Sequence, residues 1–311
     1  MRLDVVSLGE LLVDLISTDG STTFKPTAGG APANVAVACS RLGLRTGFIG
    51  KVGDDVFGRS LRDALKRERV DVSRVYFDKG DMTTLAIVSV DASGERSFQF
   101  YRGADARLKP DEVNEDYVAG SRVFHFGSIS LISEPSRSAT LKAVRAAKRS
   151  GLTITYDPNL RLSLWRSEDV ARRWMMAGLR KADVVKVSDE EAKFMFGPDI
   201  EEGAERMLKL VDRVFISLGE RGCYYADGDS RGYSKPYRVK VRDTTGAGDG
   251  FMGGVIYGTL SGWGVEKTAS FSNAVGALVV SRPGAMPAMP TLEEVVHLAG
   301  SRLPDVRTVC V

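Results

Sequence analysis

The sequence predicts an α/β protein with a mostly parallel central sheet, helices on both of its faces and a small second sheet beside it. Three observations predict it. Short apolar runs alternate with amphipathic helical stretches along most of the chain, the pattern of strands that need a crossover helix to return in parallel. Thr83 to Val90 and Arg96 to Tyr101 break that alternation, since both read as strands and Asp91-Ala92-Ser93-Gly94 between them is a hairpin signal. Asp243-Thr244-Thr245-Gly246-Ala247-Gly248-Asp249 is a glycine turn that opens a long uncharged helix. A chain of 311 residues suits one large domain or two, and no low-complexity linker or internal repeat divides it.

Taken in order, Val5 to Leu8 is the first apolar run, and Leu11 to Ser17 and Thr22 to Lys25 are strand-like segments that would join the hairpin in the second sheet. Ala33 to Leu42 is helical and is stopped by Gly43. Strand runs at Thr46 to Ile49, Arg122 to Phe126, Thr153 to Tyr156, Val184 to Val187 and Val214 to Ser217 are separated by helical patterns at Val56 to Lys66, Ser136 to Lys148 and Val170 to Leu179. Tyr237, Val239 and Val241 alternate as a strand would before the glycine turn. Gly250 to Val265 is uncharged but only 16 residues long and glycine-rich, so it is a core helix and its turn rather than a membrane span.

Composition excludes several classes of function. Charged residues are 27% and apolar ones 43%, as in soluble globular proteins. Lys and Arg number 43 against 40 Asp and Glu and are interspersed with them, as in Arg62, Asp63, Lys66, Arg67, Glu68 and Arg69. That cluster is a solvated helix face, which argues against nucleic-acid binding. Cys39, Cys223 and Cys310 are too few and dispersed for a disulfide framework or a zinc site, and Met1 to Leu8 lacks the blocks of a signal peptide. Both point to the cytoplasm. With two histidines, one of them in the buried-strand pattern Val123-Phe124-His125-Phe126, carboxylates must carry any proton transfer.

The glycine turn is an anion site in prospect. Gly246 and Gly248 allow a tight turn and leave backbone N–H groups unobstructed where the helix dipole is positive. Asp249, in the first helical turn, would stand beside the anion and accept a proton from an attacking hydroxyl, which suggests phosphoryl transfer to an alcohol. Alone, G-A-G-D is weak, because an acidic residue near a helix start is stabilising in itself. No G-x-x-x-x-G-K-[ST] occurs. Gly248, Gly250 and Gly253 fit G-x-G-x-x-G, yet they fall within the expected helix, and Glu266 does not end an apolar strand, so a dinucleotide-dependent oxidoreductase is disfavoured. In Gly29-Gly30-Ala31-Pro32-Ala33-Asn34, Pro32 suits a first helical position, the glycines permit close approach of a ligand, and Asn34 and Asp14 offer hydrogen bonds to hydroxyls. On that segment alone a simple helix start is the preferred reading.

Six motifs occur in order: G-G-A-P-A-N-V-A from Gly29, I-G-K-V-G-D-D-V-F-G from Ile49, D-P-N-L-R from Asp157, K-V-S-D-E-E from Lys186, S-L-G-E-R-G from Ser217 and D-T-T-G-A-G-D-G-F from Asp243. Together they resemble the ribokinase-type (PfkB) carbohydrate kinases over essentially the whole chain, and the Ala-Pro, D-P-N-L-R and Tyr101-Arg102 features are most similar to bacterial fructokinases. The resemblance implies a ribokinase-like three-layer α/β/α fold in a single domain of residues 1–311, with a β-sheet lid from about residues 10–28 and 82–103. It implies that Asp249 is the base and that the N–H groups of Gly246, Ala247 and Gly248 hold the transferring phosphoryl group. Asp14, Gly30, Asn34, Tyr101, Arg102 and Arg161 would bind the sugar. Lys186, Ser217, Gly219, Gly222 and Asn273 would surround ATP. Asp243 and Thr245, with backbone near Val279, Arg282 and Gly284, would hold a monovalent cation such as K⁺. Ser188 stands in place of the Asn of the family's Mg²⁺-associated N-x-x-E pattern, with Glu191 retained, and Ala288 in place of a Ser beside the cation loop, which would weaken potassium activation.

The expected activity is therefore ATP-dependent phosphorylation of a ketose, with D-fructose to fructose 6-phosphate first and 2-keto-3-deoxygluconate or aminoimidazole riboside as alternatives. A catalytically silent sugar-binding regulator is a third class, opposed by the complete Asp249 turn. The small-molecule sugar is the expected partner, without nucleic acid or membrane. Leu85, Ile87, Val88, Phe98 and Phe100 leave apolar surface on the lid hairpin that a homodimer would cover.

Overall fold

Strands and helices alternate along most of the chain. In the computed structural model, which describes residues 2–17, 22–90, 96–303 and 306, β1 (Val5–Leu8) leads through β2 (Leu12–Ser17) and β3 (Phe24–Gly29) into α1 (Ala31–Arg41). Next come β4 (Thr46–Gly53), α2 (Val56–Arg67), β5 (Asp71–Asp78), β6 (Leu85–Val90), β7 (Arg96–Tyr101), α3 (Glu115–Ala119), β8 (Val123–Gly127) and α4 (Ser136–Arg149). The chain continues as β9 (Thr153–Asp157), α5 (Glu168–Leu179), β10 (Val184–Ser188), α6 (Asp189–Phe196), α7 (Ile200–Leu208), β11 (Arg213–Ser217), β12 (Cys223–Ala226) and β13 (Arg231–Ser234). Three helices, α8 (Ala247–Leu260), α9 (Val265–Val280) and α10 (Leu292–Ala299), follow the last strand.

Among the described residues the main sheet runs β13-β12-β11-β10-β9-β8-β1-β4-β5. Neighbours from β11 to β5 are parallel, and β12 and β13 add an antiparallel edge. Alternation along each strand divides the core. Val6 and Leu8 pack with α4, α5 and α7 on one face, whereas Val5 packs with α1, α8, α9 and α10 on the other. Strands buried on both faces read as continuous apolar runs, which is why they were visible in the sequence. No helix among the described residues is long and apolar enough to cross a membrane.

A second sheet, β3-β2-β6-β7, stands apart. Its pairings place Asp14 opposite Ala86 and Ala86 opposite Phe100, so these three share one face. Val13, Leu15 and Leu85, on the opposite face, pack toward Phe57 and Leu61 of α2. The expected turn Asp91 to Gly94 lies outside the described residues, as does Cys310; Cys39 and Cys223 are buried free thiols.

Some elements differ from expectation. The segment Tyr237 to Val241 is not a strand: it runs on past the edge strand β13, where no further strand offers a ladder, and Pro236 lacks an N–H to donate. The expected strand Thr22 to Lys25 begins later, at Phe24, and runs to Gly29, which pairs with Leu12. β5, β12 and β13 are additional; all lie at or near sheet edges, β5 and β13 carrying charged and hydroxyl side chains among their apolar ones, and β12 being a buried strand of only four residues. His125 is a core residue, with Nδ1 3.0 Å from Thr155 Oγ1; burial, with Lys186 adding to it, pushes its pKa down to about 3.

Candidate active site

Strand order places the site. The chain lays down β4 and β5 on one side of β1 and β8 to β11 on the other, so the order reverses between β1 and β8, where a crevice opens beyond the carboxyl ends of the strands. Glu10 follows β1, Ile129 follows β8, Asn159 and Arg161 follow β9, and Ser188 ends β10; all line one cavity of about 330 Å³. The volume is at the low end of ligand pockets, roughly 300–1,000 Å³. Asp14 and Phe100 close it from the second sheet, and Asn34, Lys186, Glu191, Gly246, Gly248 and Asp249 complete its wall. A larger cavity of about 800 Å³ lies between β2, β3, α2 and residues 283–287; its lining is mainly apolar, and it holds neither Asp249 nor the glycines of the anion turn.

The anion turn is held from behind. Gly246 has φ 78°, and a Cβ there would stand 2.8 Å from Ala285 Cβ. Only glycine meets both demands. Asp243 joins the two segments: Oδ1 accepts from the N–H of Thr245 (2.9 Å) and its hydroxyl (2.6 Å), while Oδ2 accepts from the N–H of Gly284 (2.9 Å). The first N–H groups of α8 lack acceptors within the helix, Ala247 N–H meeting the Thr244 carbonyl at 3.3 Å, and Gly246 and Gly248 line the cavity at the positive end of its dipole. Lys186 adds charge there, since a Cβ on Gly248 would lie 2.8 Å from its Nζ.

Asp249 is buried in the first turn of α8, and its Oδ2 accepts from Asn34 Nδ2 at 2.7 Å. Burial pushes its pKa above the ordinary carboxylate range, opposed by the Asn34 hydrogen bond, Lys186 and Arg161. Asn34 Oδ1 is buried with no partner among the described residues. Asp14 is pushed up to about 7 by burial, with Arg161 opposing and Asp249 adding. Two carboxylates, an amide and a guanidinium thus share one small space, a set suited to holding hydroxyls and drawing a proton from one of them.

Lys186 is itself held by Asp157, Nζ to Oδ2 3.0 Å, with both side chains buried. Burial would lower the lysine pKa, but Asp157 and Glu191 outweigh it and keep the ammonium charged. Ser188 and Glu191 form a capping box for α6: the hydroxyl accepts from Glu191 N–H (3.1 Å) and Glu191 Oε2 accepts from Ser188 N–H (2.8 Å). Glu191 Oε1 accepts from Leu160 N–H at 2.7 Å, tying the loop after β9 to α6.

The remaining expected residues fall in different places. Gly30, with φ 106°, lines the cavity; a Cβ there would stand 2.4 Å from the Glu10 carbonyl. Tyr101 does not line it. Side chains on β7 alternate, so Phe100 faces inward and Tyr101 is 54% exposed on the other face. Arg102 does not line it either, since its NH2 binds Asp105 Oδ2 at 2.6 Å and its NH1 binds the Ile129 carbonyl at 3.3 Å. Ser217, Gly219 and Gly222 cluster at the end of β11, and Asn273 Nδ2 binds the carbonyls of Ser234 (3.1 Å) and Lys235 (3.2 Å) nearby. The Val279 carbonyl accepts from Arg282 N–H (3.1 Å), and the Arg282 side chain pairs with Glu294. Glu10, Phe100 and the role of Asp157 were not foreseen; the period of two along β7 was the available signal for Phe100. Gly248, Gly250 and Gly253 lie in α8, where a Cβ on Gly253 would stand 2.6 Å from Ala38 Cβ, so that glycine serves helix packing rather than a dinucleotide.

Comparison with known proteins agrees with this geometry. The profile described as "pfkB family carbohydrate kinase" matches residues 2–292. A probable fructokinase-2 of Arabidopsis thaliana is 44% identical over 308 residues, covering 92% of this chain and 93% of the relative. The fold superposes on a fructokinase with bound ATP from Xylella fastidiosa with TM-score 0.89 and 30% identity, covering 96% of this chain and 98% of that one. It superposes equally on a fructokinase from Vibrio cholerae O395 in a fructose, ADP and calcium ion bound form, with TM-score 0.88, 33% identity and coverage of 96% and 99%. A profile spanning nearly the whole chain, on a ribokinase-like fold whose anion turn and buried Asp249 meet in one cavity, shows that this chain belongs to the pfkB family of carbohydrate kinases.

Proposed function

We propose that the protein transfers the γ-phosphoryl group of ATP to D-fructose, giving fructose 6-phosphate and ADP. The observation that carries this reading is Asp249, buried beside the anion turn in a cavity that also holds Asp14, Asn34 and Arg161. Asp249 takes the proton of the acceptor hydroxyl, the hydroxyl oxygen bonds to the γ-phosphorus, and the bond to the ADP oxygen breaks. Gly246, Ala247 and Gly248 N–H groups with Lys186 receive the charge of the transferring group. Asp14, Gly30, Asn34 and Arg161 hold the sugar. Ser217, Gly219, Gly222 and Asn273 flank the adenosine side, and the four-stranded sheet acts as the lid of a single domain, carrying Tyr101 and Arg102.

Glu191, with Ser188 beside it in the cavity wall, presents hard carboxylate oxygens, the donor chemistry that Mg²⁺ takes together with phosphate oxygens. Bound there with ATP, the ion supplies neutralisation of phosphate charge. Asp243, Thr245 and the backbone of Val279, Arg282 and Gly284 fit a K⁺ site behind the turn, weakened by Ala288. A reducing cytoplasm suits the buried thiols of Cys39 and Cys223.

The test is ADP release with ATP and Mg²⁺ across fructose, 2-keto-3-deoxygluconate and aminoimidazole riboside, in the parent and in Arg161→Gln. Fructose is expected to be best in the parent. Losing one charge-assisted hydrogen bond of ~1.5–3 kcal/mol lowers kcat/KM for fructose by about 10- to 150-fold. An acid sugar, which needs the charge itself, should lose nearly all activity. A parent that prefers the acid sugar would displace fructose, and tight NAD binding without ADP release would displace the kinase. A homodimer through the lid is the proposed assembly, with the exposed Phe24 and Tyr101 on its edge strands as contacts. Light scattering should return twice the chain mass of 33.7 kDa, and a monomer at all concentrations rules the dimer out.

A further inference from the structure

We propose that Glu10 contacts the sugar and helps select it, its unpartnered carboxyl oxygen forming a hydrogen bond with an oxygen of the acceptor. The inference rests on the sugar-kinase reading of this cavity. Glu10 is only 3% exposed and yet lines the cavity. Its Oε1 accepts from the N–H of Ala31, the first residue of α1, at 3.1 Å. Its Oε2 is buried with no partner among the described residues. A buried oxygen left without a hydrogen bond costs ~1–3 kcal/mol, so a purely structural role, already met by Oε1, does not account for it. A ligand in the cavity does.

The surroundings decide which form of the carboxyl meets that ligand. The guanidinium that acts on it, Arg102, is committed to Asp105 and the Ile129 carbonyl, and Asp105 is itself held by the Thr84 hydroxyl. Asp105 and Arg102 therefore act on Glu10 with opposite signs, Asp105 the more strongly, while Asp14, Arg161, Lys186, Glu191 and Asp249 share the cavity with it. Burial pushes the Glu10 pKa up to about 8, with the backbone N–H of Glu10 itself opposing, Asp105 adding, and Arg102 and the Ala31 N–H opposing. At neutral pH the group is a carboxylic acid and donates its proton in a hydrogen bond. It complements Asp14, which accepts. A site that donates to a particular sugar oxygen rejects an analogue lacking that oxygen, because the buried donor is then left unpaired.

The signs of the two limbs follow. Asp14 accepts as the ionised form, so sugar affinity rises with pH through about 7. Glu10 donates as the protonated form, so affinity falls as pH rises through about 8.

The experiment is calorimetric titration of fructose and its single-deoxy analogues, with steady-state KM for fructose and for ATP, from pH 6 to 9.5 in the parent, Glu10→Gln and Glu10→Met. In the parent, fructose affinity should fall about tenfold per pH unit above 8 while KM for ATP stays level. Glu10→Gln, which still donates but cannot ionise, should lose the alkaline limb and keep the acid limb. Glu10→Met should weaken fructose at least tenfold at pH 7 and cease to discriminate against the one deoxy analogue that the parent rejects for want of a partner to Glu10. An alkaline limb unmoved in Glu10→Gln, or a Glu10→Met variant that melts like the parent and binds fructose as well, overturns the proposal. If fructose does not bind but another sugar shows the limb that Glu10→Gln removes, the fructose assignment fails and the role of Glu10 stands.

Discussion

Asp249→Asn is expected to lower kcat by ~10²–10⁴-fold, the usual contribution of a positioned general base. The substitution keeps the shape of the side chain, and an amide oxygen can still accept from Asn34 Nδ2, now 2.7 Å from Oδ2. It removes the one group of the cavity wall in the first turn of α8 that can take a proton. ATP binding, measured by calorimetry without sugar, should change little, because the N–H groups of the turn and Lys186 are untouched. The pH dependence gives a second reading. Burial holds the Asp249 pKa above the ordinary carboxylate range, and the base acts ionised, so parent kcat should rise with pH through that raised value. The variant should lack this rise. Near-normal turnover in Asp249→Asn with the best sugar would assign the base elsewhere.

Legibility in the sequence followed how local each determinant is. The start of α8 could be read because a left-handed Gly246, a first-turn acid and an uncharged helix are all consequences of neighbouring residues. The central strands could be read because helices on both faces make them apolar throughout. The edge strands could not: β13 is partly exposed, and pairing with β12 depends on register rather than on composition. The segment from Tyr237 to Val241 shows the converse, an alternating pattern with no partner strand to pair with.

Site residues divide in the same way. Asp14, Asn34 and Arg161 sit in the cavity as the motifs led one to expect, whereas Tyr101 is turned away by the alternation of β7 and Arg102 is captured by Asp105. Glu10 and Asp157 were illegible for a common reason. Each is an acidic residue just beyond or at the end of an apolar strand, and its importance depends on burial against partners distant in sequence, Ala31 for one and Lys186 for the other.

Lys186→Met should be the most damaging change to stability in the site. Lys186 is 5% exposed and Asp157 2% exposed, and removing one partner of a buried pair leaves the other charge uncompensated at a cost of about 3–5 kcal/mol. The same change removes a cation beside the anion turn, for which a loss of ~10²–10³ in kcat is expected, as for one transition-state donor. Asp157→Asn in the same chain separates the two roles. The double variant has no unpaired charge at this position, so most of the stability should return in chemical denaturation while kcat stays low. The pH dependence has a definite sign. Burial pushes the Asp157 carboxyl above its ordinary range, Lys186 opposes this and Glu191 adds to it, so without Lys186 the upward push is unopposed. A carboxyl whose folded pKa lies above its unfolded one favours folding at low pH and loses that contribution as pH rises through the folded value. Lys186→Met should therefore recover stability relative to the parent as pH falls from 8 to 5, and the double variant should not. A double variant as unstable as Lys186→Met, or one with full kcat, would show that the Asp157–Lys186 pair is not what couples the packing of the sheet to the anion turn.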